Sequence, residues 1–192
     1  GMYNYDNRYF AYASVMGQAS SAFHPDHRWG MFWSASAGWM MSKEKWFKAD
    51  WVDELKLKAS YGENGNDQNM RTSYYYTNRY SIVNSDNNIA LTPSTTKGNE
   101  ELTWEKNSKF NVGVDFSLFK GRLTGTMEYY NNRTEDMLAT IPYPPTLGYT
   151  SALANVGNMS NQGFEVELRG DIIRTSDFNW NIYANISTNS NK

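Results

Sequence analysis

The stretch KFNVGVDFSLFKGRLTGTMEYY, from Lys109 to Tyr130, decides the fold because it alternates apolar and polar residues on both sides of a short turn. The turn contains Gly121, which adopts a positive φ angle without strain. Before the turn, apolar residues occupy every second position, the spacing of side chains on one face of a strand: Phe110, Val112, Val114, Phe116 and Leu118. The stretch therefore predicts a β-hairpin with one apolar face and one polar face.

The same alternation recurs along the chain, whereas helical periodicity is scarce. We expect seven strands, at residues 8–18, 29–41, 53–62, 105–118, 122–134, 162–172 and 177–188. Short turns at 119–122 and 174–177 alternate with long connections at 63–104 and 135–161, which gather at the opposite strand ends. This arrangement is typical of outer-membrane barrels. The pattern predicts an all-β, antiparallel up-and-down meander that forms part of a large transmembrane β-barrel wall, with residues 1–192 as one partial barrel domain.

Aromatic residues make up 16% of the chain, and their positions favour a membrane protein. Amphipathic rings prefer the depth of the lipid headgroups. We expect two bands of rings, one at each end of the strands. The band at the long-loop ends consists of Trp29, Trp104, Tyr129, Tyr130 and Phe164. The band at the short-turn ends consists of Trp39, Phe116, Phe178 and Trp180. The alternative is a soluble antiparallel sandwich, in which the same rings fill a dry core.

Several motifs agree in order and spacing with one known family. They are NRYFAYASVMGQASSAFHPDHRWGMFWSASAGWMMS (7–42), LKLKASYGENGN (55–66), GNEELTWEKNSKFNVGVDFSLFKGRLTGTMEYYNNRTEDML (98–138), GYTSALANVGNMSNQGFEVEL (148–168) and FNWNIYANIST (178–188). Together they resemble the C-terminal half of the barrel in SusC/RagA-type TonB-linked (TonB-dependent) outer-membrane proteins of Bacteroidetes. The resemblance covers nearly the whole chain.

The resemblance implies a barrel of about 22 strands with an N-terminal plug, of which this chain supplies about a third of the wall. It also implies a location in the cell outer membrane, in contact with lipid, and import of glycan or peptide nutrients. The implied partners are a SusD-like lipoprotein outside and the TonB complex, which acts through an N-terminal region that this sequence lacks. The alternative is a soluble all-β module that binds glycans or proteins.

If the chain is part of a barrel wall, the hairpin 109–130 turns its apolar face to lipid and its polar face to a hydrated lumen. The lipid-facing set is Phe110, Val112, Val114, Phe116, Leu118, Leu123, Met127 and Tyr129. The lumen-facing set is Asn111, Asp115, Ser117, Thr124, Thr126 and Glu128.

A tyrosine-rich segment in the loop 63–104 is the candidate substrate-binding site. Its rings suit stacking against a sugar face, and its amide and guanidinium groups suit hydrogen bonds to hydroxyls. The candidate residues are Tyr74, Tyr75, Tyr76, Asn78, Arg79 and Tyr80. The alternative is a loop packed on itself or against a partner, since tyrosine-rich hairpins also pack without a ligand.

Composition argues against several other functions. The 18 Lys and Arg nearly balance the 20 Asp and Glu, so we expect no nucleic-acid partner. The chain has no cysteine, and His24 and His27 lie in the turn HPDH without further ligands nearby, so we expect no metal site. No nucleotide fingerprint or nucleophile triad occurs, so we expect neither a cofactor nor enzyme activity.

Overall fold

A computed structural model describes residues 1–67, 70, 74–85 and 88–192 of the chain. Within this part, strands account for nearly all of the regular structure. In chain order they are β1 (Met2–Tyr5), β2 (Tyr9–Ala19), β3 (Trp29–Met40), β4 (Val52–Asn66), β5 (Tyr80–Ser85), β6 (Asn88–Pro93), β7 (Thr96–Lys97), β8 (Glu105–Leu118), β9 (Leu123–Glu135), β10 (Leu138–Pro142), β11 (Ser151–Asn155), β12 (Met159–Arg174) and β13 (Asn179–Asn191). No helix among the described residues is long and apolar enough to cross a membrane.

Eight strands form one antiparallel sheet in the order β1-β2-β3-β4-β8-β9-β12-β13. Apart from excursions into the long connections, each strand pairs with its neighbour in the chain, so the predicted up-and-down meander is confirmed. All seven predicted strands are present, and the boundaries of β8 match the predicted 105–118. The sheet is open in the described part of the chain, with β1 and β13 at its two edges.

The strand β1 was absent from the sequence prediction. It is only four residues long, too short for alternation to stand out. The turn that joins it to β2 carries Asp6 and Asn7 with φ angles of 53° and 50°. Aspartate and asparagine tolerate this left-handed region better than other residues with side chains, so the pair Asp-Asn was the available signal for a hairpin.

The strand β4 continues to Asn66, whereas the sequence predicted an end at residue 62. The prediction stopped there because glycine and asparagine usually mark turns. In the structure Gly65 serves close packing instead. A Cβ atom at this position would lie 2.2 Å from the ring of Phe32 and 2.7 Å from the ring of Trp104. The strand therefore continues because glycine leaves room for two large rings against its backbone.

The two long connections also differ from the prediction, since they contain strands of their own. β5 and β6 form a separate hairpin within 63–104. β10, β11 and β7 form a three-stranded sheet in which β11 pairs with β7 in parallel. This sheet joins the connection before β8 to the connection before β12. Such long-range pairing leaves little trace in local sequence, because each strand is five residues or shorter.

The predicted short turn between β8 and β9 is present. Phe119, Lys120 and Gly121 have φ angles of 57°, 61° and 75°. Asp53 Oδ2 accepts a hydrogen bond from the Gly121 backbone N–H at 2.9 Å, and the Trp51 ring stacks on Phe119 with centroids 5.9 Å apart. A 3-10 turn at Met41–Lys43 begins the connection from β3 to β4.

The buried hydrophobic cluster lies at the long-loop end of the sheet rather than between two layers. Its members are Ala22, Phe23, Phe32, Met70, Leu102, Trp104 and Leu153, which we call the loop core. Trp104, expected in the band of rings facing lipid, belongs to this core instead and donates a hydrogen bond to the Arg28 carbonyl at 3.2 Å. Tyr130 also departs from the expected band, because alternation places it with Glu128 on the polar face.

Candidate functional site

One face of the eight-stranded sheet carries polar and charged side chains aligned across neighbouring strands. Lys58 on β4 lies opposite Gly113 on β8, and Gly113 lies opposite Glu128 on β9. Glu165 on β12 continues the same row. Because side chains alternate along each strand, this row shares its face with the polar residues two positions away.

An ion cluster spans three strands of this polar face. Lys58 Nζ lies 3.0 Å from Asp115 Oδ1 and 3.2 Å from Glu128 Oε2. The Thr126 hydroxyl donates to Asp115 at 3.0 Å. Gly113, which lies between Lys58 and Glu128, permits this approach, since a Cβ atom there would lie 2.9 Å from Lys58 Cε and 2.8 Å from a backbone carbonyl. All three charged groups remain partly exposed, as expected for a hydrated wall.

The polar face also carries two rings near its first edge. Phe10 lies opposite Gly38, and Tyr12 lies opposite Ser36. The Lys56 ammonium lies 5.5 Å above the Phe10 ring, a cation–π contact. The sequence prediction assigned no faces to β2, because its apolar residues alternate less clearly than those of β8.

The long loops meet in the loop core and present the tyrosine-rich segment above it. Tyr75 packs against the loop core, and the Arg79 guanidinium lies 5.3 Å from its ring centroid. Tyr76 contacts the rings of Tyr74 and His24, with centroids 6.1 Å and 5.9 Å away. This part of the candidate site is therefore partly packed on itself.

The remaining candidate residues differ in their freedom to bind a ligand. Asn78 Oδ1 accepts a hydrogen bond from the Gly98 backbone N–H at 3.0 Å, so one of its acceptor positions is used. Tyr74 and Tyr80 are exposed. The structure brings Tyr74, Tyr75 and Tyr76 together around one turn, while Tyr80 begins β5 in the hairpin.

The hairpin β5–β6 was not expected from the sequence, and it exposes a face that is apolar except for Asn84. Tyr80 lies opposite Pro93, and Ile82 lies opposite Leu91. Ile89 shares this face by alternation. The exposed fractions of Tyr80, Ile82, Ile89 and Leu91 lie between 61% and 75%. Nothing in the described part of the chain packs over them.

A hydrogen-bonded cluster at the short-turn end was also missed by sequence reasoning. Glu44, in the connection between β3 and β4, accepts hydrogen bonds from the Tyr9 hydroxyl and from Trp39 Nε1. Arg8 Nη1 lies 3.2 Å from Glu44 Oε2, and Arg8 Nη2 lies 2.7 Å from Asp6 Oδ2. The hydrogen bonds from Tyr9 and Trp39, with the Arg8 charge, hold the pKa of Glu44 below its ordinary value.

The segment HPDH forms the turn that the sequence suggests. His24 Nδ1 accepts a hydrogen bond from the Asp26 backbone N–H at 3.4 Å, ahead of a 3-10 turn at Pro25–His27. Among the residues that the structure describes, no group of three or more His, Cys, Asp or Glu side chains is arranged to hold a metal ion.

Comparisons with known proteins agree on one family. A family model described as TonB dependent receptor-like, beta-barrel, matches residues 3–192. TonB-dependent receptor P39 from Formosa agariphila is 34% identical over 193 residues, which cover 99% of this chain and 18% of that receptor. TonB-dependent receptor SusC from Bacteroides thetaiotaomicron is 32% identical over 203 residues, which cover all of this chain and 20% of that receptor.

Solved structures give the same result. A chain of the RagAB peptide transporter superposes with a TM-score of 0.89 at 31% identity, covering 100% of this chain and 21% of that chain. The siderophore receptor PirA from Pseudomonas aeruginosa shares the fold, with a TM-score of 0.57 at 13% identity over 96% of this chain and 32% of PirA. The chain thus spans about a fifth of the length of the curated relatives it matches.

Proposed function

Because this chain belongs to the TonB dependent receptor-like β-barrel family, we propose that it forms part of the barrel wall of a SusC-like outer-membrane receptor. In this role the complete receptor imports glycan or peptide nutrients with energy delivered by the TonB complex. The similarity to SusC and to the RagAB peptide transporter over the whole chain supports this proposal. Those relatives are named as receptors and transporters, which supports a transport role rather than catalysis.

The observation that carries the proposal is the uncovered apolar face of the sheet. Val112, Met127 and Ile182 are 42%, 47% and 46% exposed. Within the described residues, no second layer of structure packs over this face, as it would in a soluble sandwich. A continuous apolar surface spread over eight strands is compatible with hydrocarbon and costly in water.

The opposite face supports the second half of the proposal, a hydrated path. Lys58, Asp115 and Glu128 form ion pairs while remaining partly exposed, and rows of such groups suit the polar lumen of a barrel. The lumen wall of the complete receptor would therefore present paired charges and the rings of Phe10 and Tyr12 to a passing solute.

For the cargo, we propose that the tyrosine-rich segment contacts a glycan or peptide at the outer mouth of the barrel. The exposed ring of Tyr74 offers a stacking surface, and the Asn78 amide retains its donor hydrogens in the described structure. Tyr75 contributes indirectly, because its packing against the loop core fixes the turn that carries its neighbours. Tyr76 and Arg79 complete the surface, with Tyr80 at its border.

For the partner, we propose that the apolar face of the hairpin β5–β6 is covered by the SusD-like lipoprotein. The hairpin lies at the long-loop end, which is the extracellular end in this barrel class. Apart from Asn84, the exposed side chains of this face are aromatic or aliphatic, and none carries a charge, the composition typical of the core of a protein interface. Two strands of six residues are too few for a stable interface alone, so the partner would also cover neighbouring loops.

A deletion strain and two complemented strains test the proposed function. Deleting the gene for the complete receptor should abolish growth on one class of oligosaccharide or peptide, and the wild-type gene should restore it. A receptor with Ile82→Asn and Leu91→Asn should reach the outer membrane but lose the co-purifying lipoprotein. Normal uptake in the deletion strain for every nutrient tested would refute the transport function.

The alternative, a soluble glycan-binding or interaction module, makes a different prediction for the purified chain. A module should stay monodisperse without detergent, whereas the barrel wall should require detergent or lipid because its apolar face is uncovered. Size-exclusion chromatography with and without detergent distinguishes the two.

A further inference from the structure

The lipid-facing side of the sheet carries a continuous ladder of five rings at the short-turn end. Adjacent ring centroids lie 6.0 to 6.5 Å apart along the whole series. We call this series the ring ladder; it consists of Tyr5, Tyr9, Trp39, Trp46 and Phe47. Its strand members share a face, because Tyr5 lies opposite Tyr9 and Tyr9 lies opposite Trp39 in the sheet register.

Glu44 fixes two rings of the ring ladder by hydrogen bonds. The Tyr9 hydroxyl and Trp39 Nε1 both donate to the same Glu44 oxygen, so the polar tips of these two rings already have partners. Trp46 lies beside Trp39 and remains 61% exposed. No protein group in the described structure accepts a hydrogen bond from its indole N–H. Trp46 is therefore positioned to contact something outside the chain.

Three lysines flank Trp46 in the sequence of the connection 41–51. Lys43, Lys45 and Lys48 are exposed, and within the described part of the chain none of them forms an ion pair. The acid in their midst, Glu44, is matched by Arg8 at 3.2 Å. Within the described residues, the connection thus carries three lysines without an ion pair against one such acid, the exposed Asp50, close in sequence to an exposed indole.

We propose that the connection 41–51 binds the anionic headgroup of a phospholipid in the leaflet on the short-turn side. Ammonium groups next to a membrane attract anionic lipids, and indole rings prefer headgroup depth. A lipid fits better than a protein partner, because the exposed lysines flank Trp46, whose ring packs on Trp39 of the ring ladder. This inference rests on the membrane location in the proposed function.

The test uses the complete receptor in phosphatidylcholine vesicles that contain a small fraction of photoactivatable phosphatidylglycerol, with the photoreactive group on the headgroup. Flotation first establishes that the receptor is inserted. After illumination, peptide mapping should find adducts within 41–51. A triple variant with Lys43→Gln, Lys45→Gln and Lys48→Gln should raise the lipid concentration for half-maximal labelling by between about tenfold and about 100-fold, since each lysine contributes up to about fivefold and the three factors multiply.

Matched variants separate charge from damage. Arginine at the same three positions should retain labelling, because the charge is kept. A control triple variant removes exposed lysines at the opposite strand ends, and its labelling should equal that of the wild type: Lys97→Gln, Lys106→Gln and Lys109→Gln.

The outcomes that would overturn the inference are distinct. If the receptor fails to float with the vesicles, the proposed location is wrong and the lipid site falls with it. If it floats but labelling of 41–51 is unchanged by the glutamine variant, the lipid site is wrong while the location stands. Equal labelling by a phosphatidylcholine probe would also reject an anionic headgroup site.

Discussion

The two faces of the sheet can be tested at adjacent residues of one strand. Met127 and Thr126 lie at the same depth on β9 and point in opposite directions. Met127 lies between Val114 and Val166 on the neighbouring strands. Val114 is also the middle member of the five alternating apolar residues of β8, so we place Met127 near the middle of the hydrocarbon. We expect arginine to be rejected at 127 and accepted at 126.

The magnitude follows from the surroundings of each residue. Arginine facing lipid at the bilayer midplane costs about 2–4 kcal/mol, which lowers the folding equilibrium constant about 30-fold to 900-fold. Thr126 instead lies between Asp115 and Glu167 in the register. An arginine there replaces the 3.0 Å hydrogen bond from the Thr126 hydroxyl with a charged pair, so we expect a change smaller than about 1 kcal/mol.

The assay is reversible unfolding of the complete receptor in lipid vesicles, with the fraction folded followed by heat-dependent mobility in gels. The Met127→Arg receptor should be destabilised or fail to assemble, and the Thr126→Arg receptor should behave as the wild type. Equal effects at the two positions would refute the assignment of faces.

A dry protein core at Met127 would also reject arginine, so a second measurement is needed. A fluorophore on a cysteine introduced at position 127 should be quenched by bromine atoms on lipid acyl chains, and one at position 126 should be quenched much less. Quenching at neither position would show that the apolar face meets protein instead of lipid.

Three further predictions concern the two ends of the sheet. The pKa of Glu44 is lowered in the folded protein, so its ionised form stabilises the fold at pH values above its ordinary pKa of 4.5. This stabilisation is lost as the pH falls through the lower folded pKa. Denaturant melts of the wild type and of Glu44→Gln should therefore differ at pH 7 and converge in acid. Gly65→Ala should lower the free energy of unfolding by about 1–3 kcal/mol and make the loops more sensitive to protease, because the new Cβ would overlap a ring of the loop core. The control Gly170→Ala should be tolerated, because the nearest atom to its Cβ would be 3.7 Å away. Tyr74→Ala should weaken cargo binding by the complete receptor, measured by calorimetry, without changing the melting temperature of the receptor. Tyr75→Ala should lower the melting temperature, because Tyr75 packs against the loop core. Unchanged cargo affinity of the Tyr74→Ala receptor would favour a loop that only packs on itself.

The sequence alone was sufficient for the seven long strands, the antiparallel meander and the family. These features repeat along the chain: each long strand alternates apolar and polar residues over enough positions to be recognised, and Gly121 marks its turn locally. The same alternation separated the apolar from the polar residues of β8 and β9 onto two faces, as the register has them, because a period of two leaves only one choice of face once a single residue is assigned.

Only the tertiary structure decided how the long loops and the rim are built. Trp104 reads like a membrane-facing ring in the sequence, yet it is buried because Gly65 lets it pack against the strand. The pairing of β11 with β7 and the hydrogen bonds of Glu44 to Tyr9 and Trp39 join residues far apart in the chain. Such contacts depend on which surfaces the folded strands bring together, and local periodicity carries no record of them.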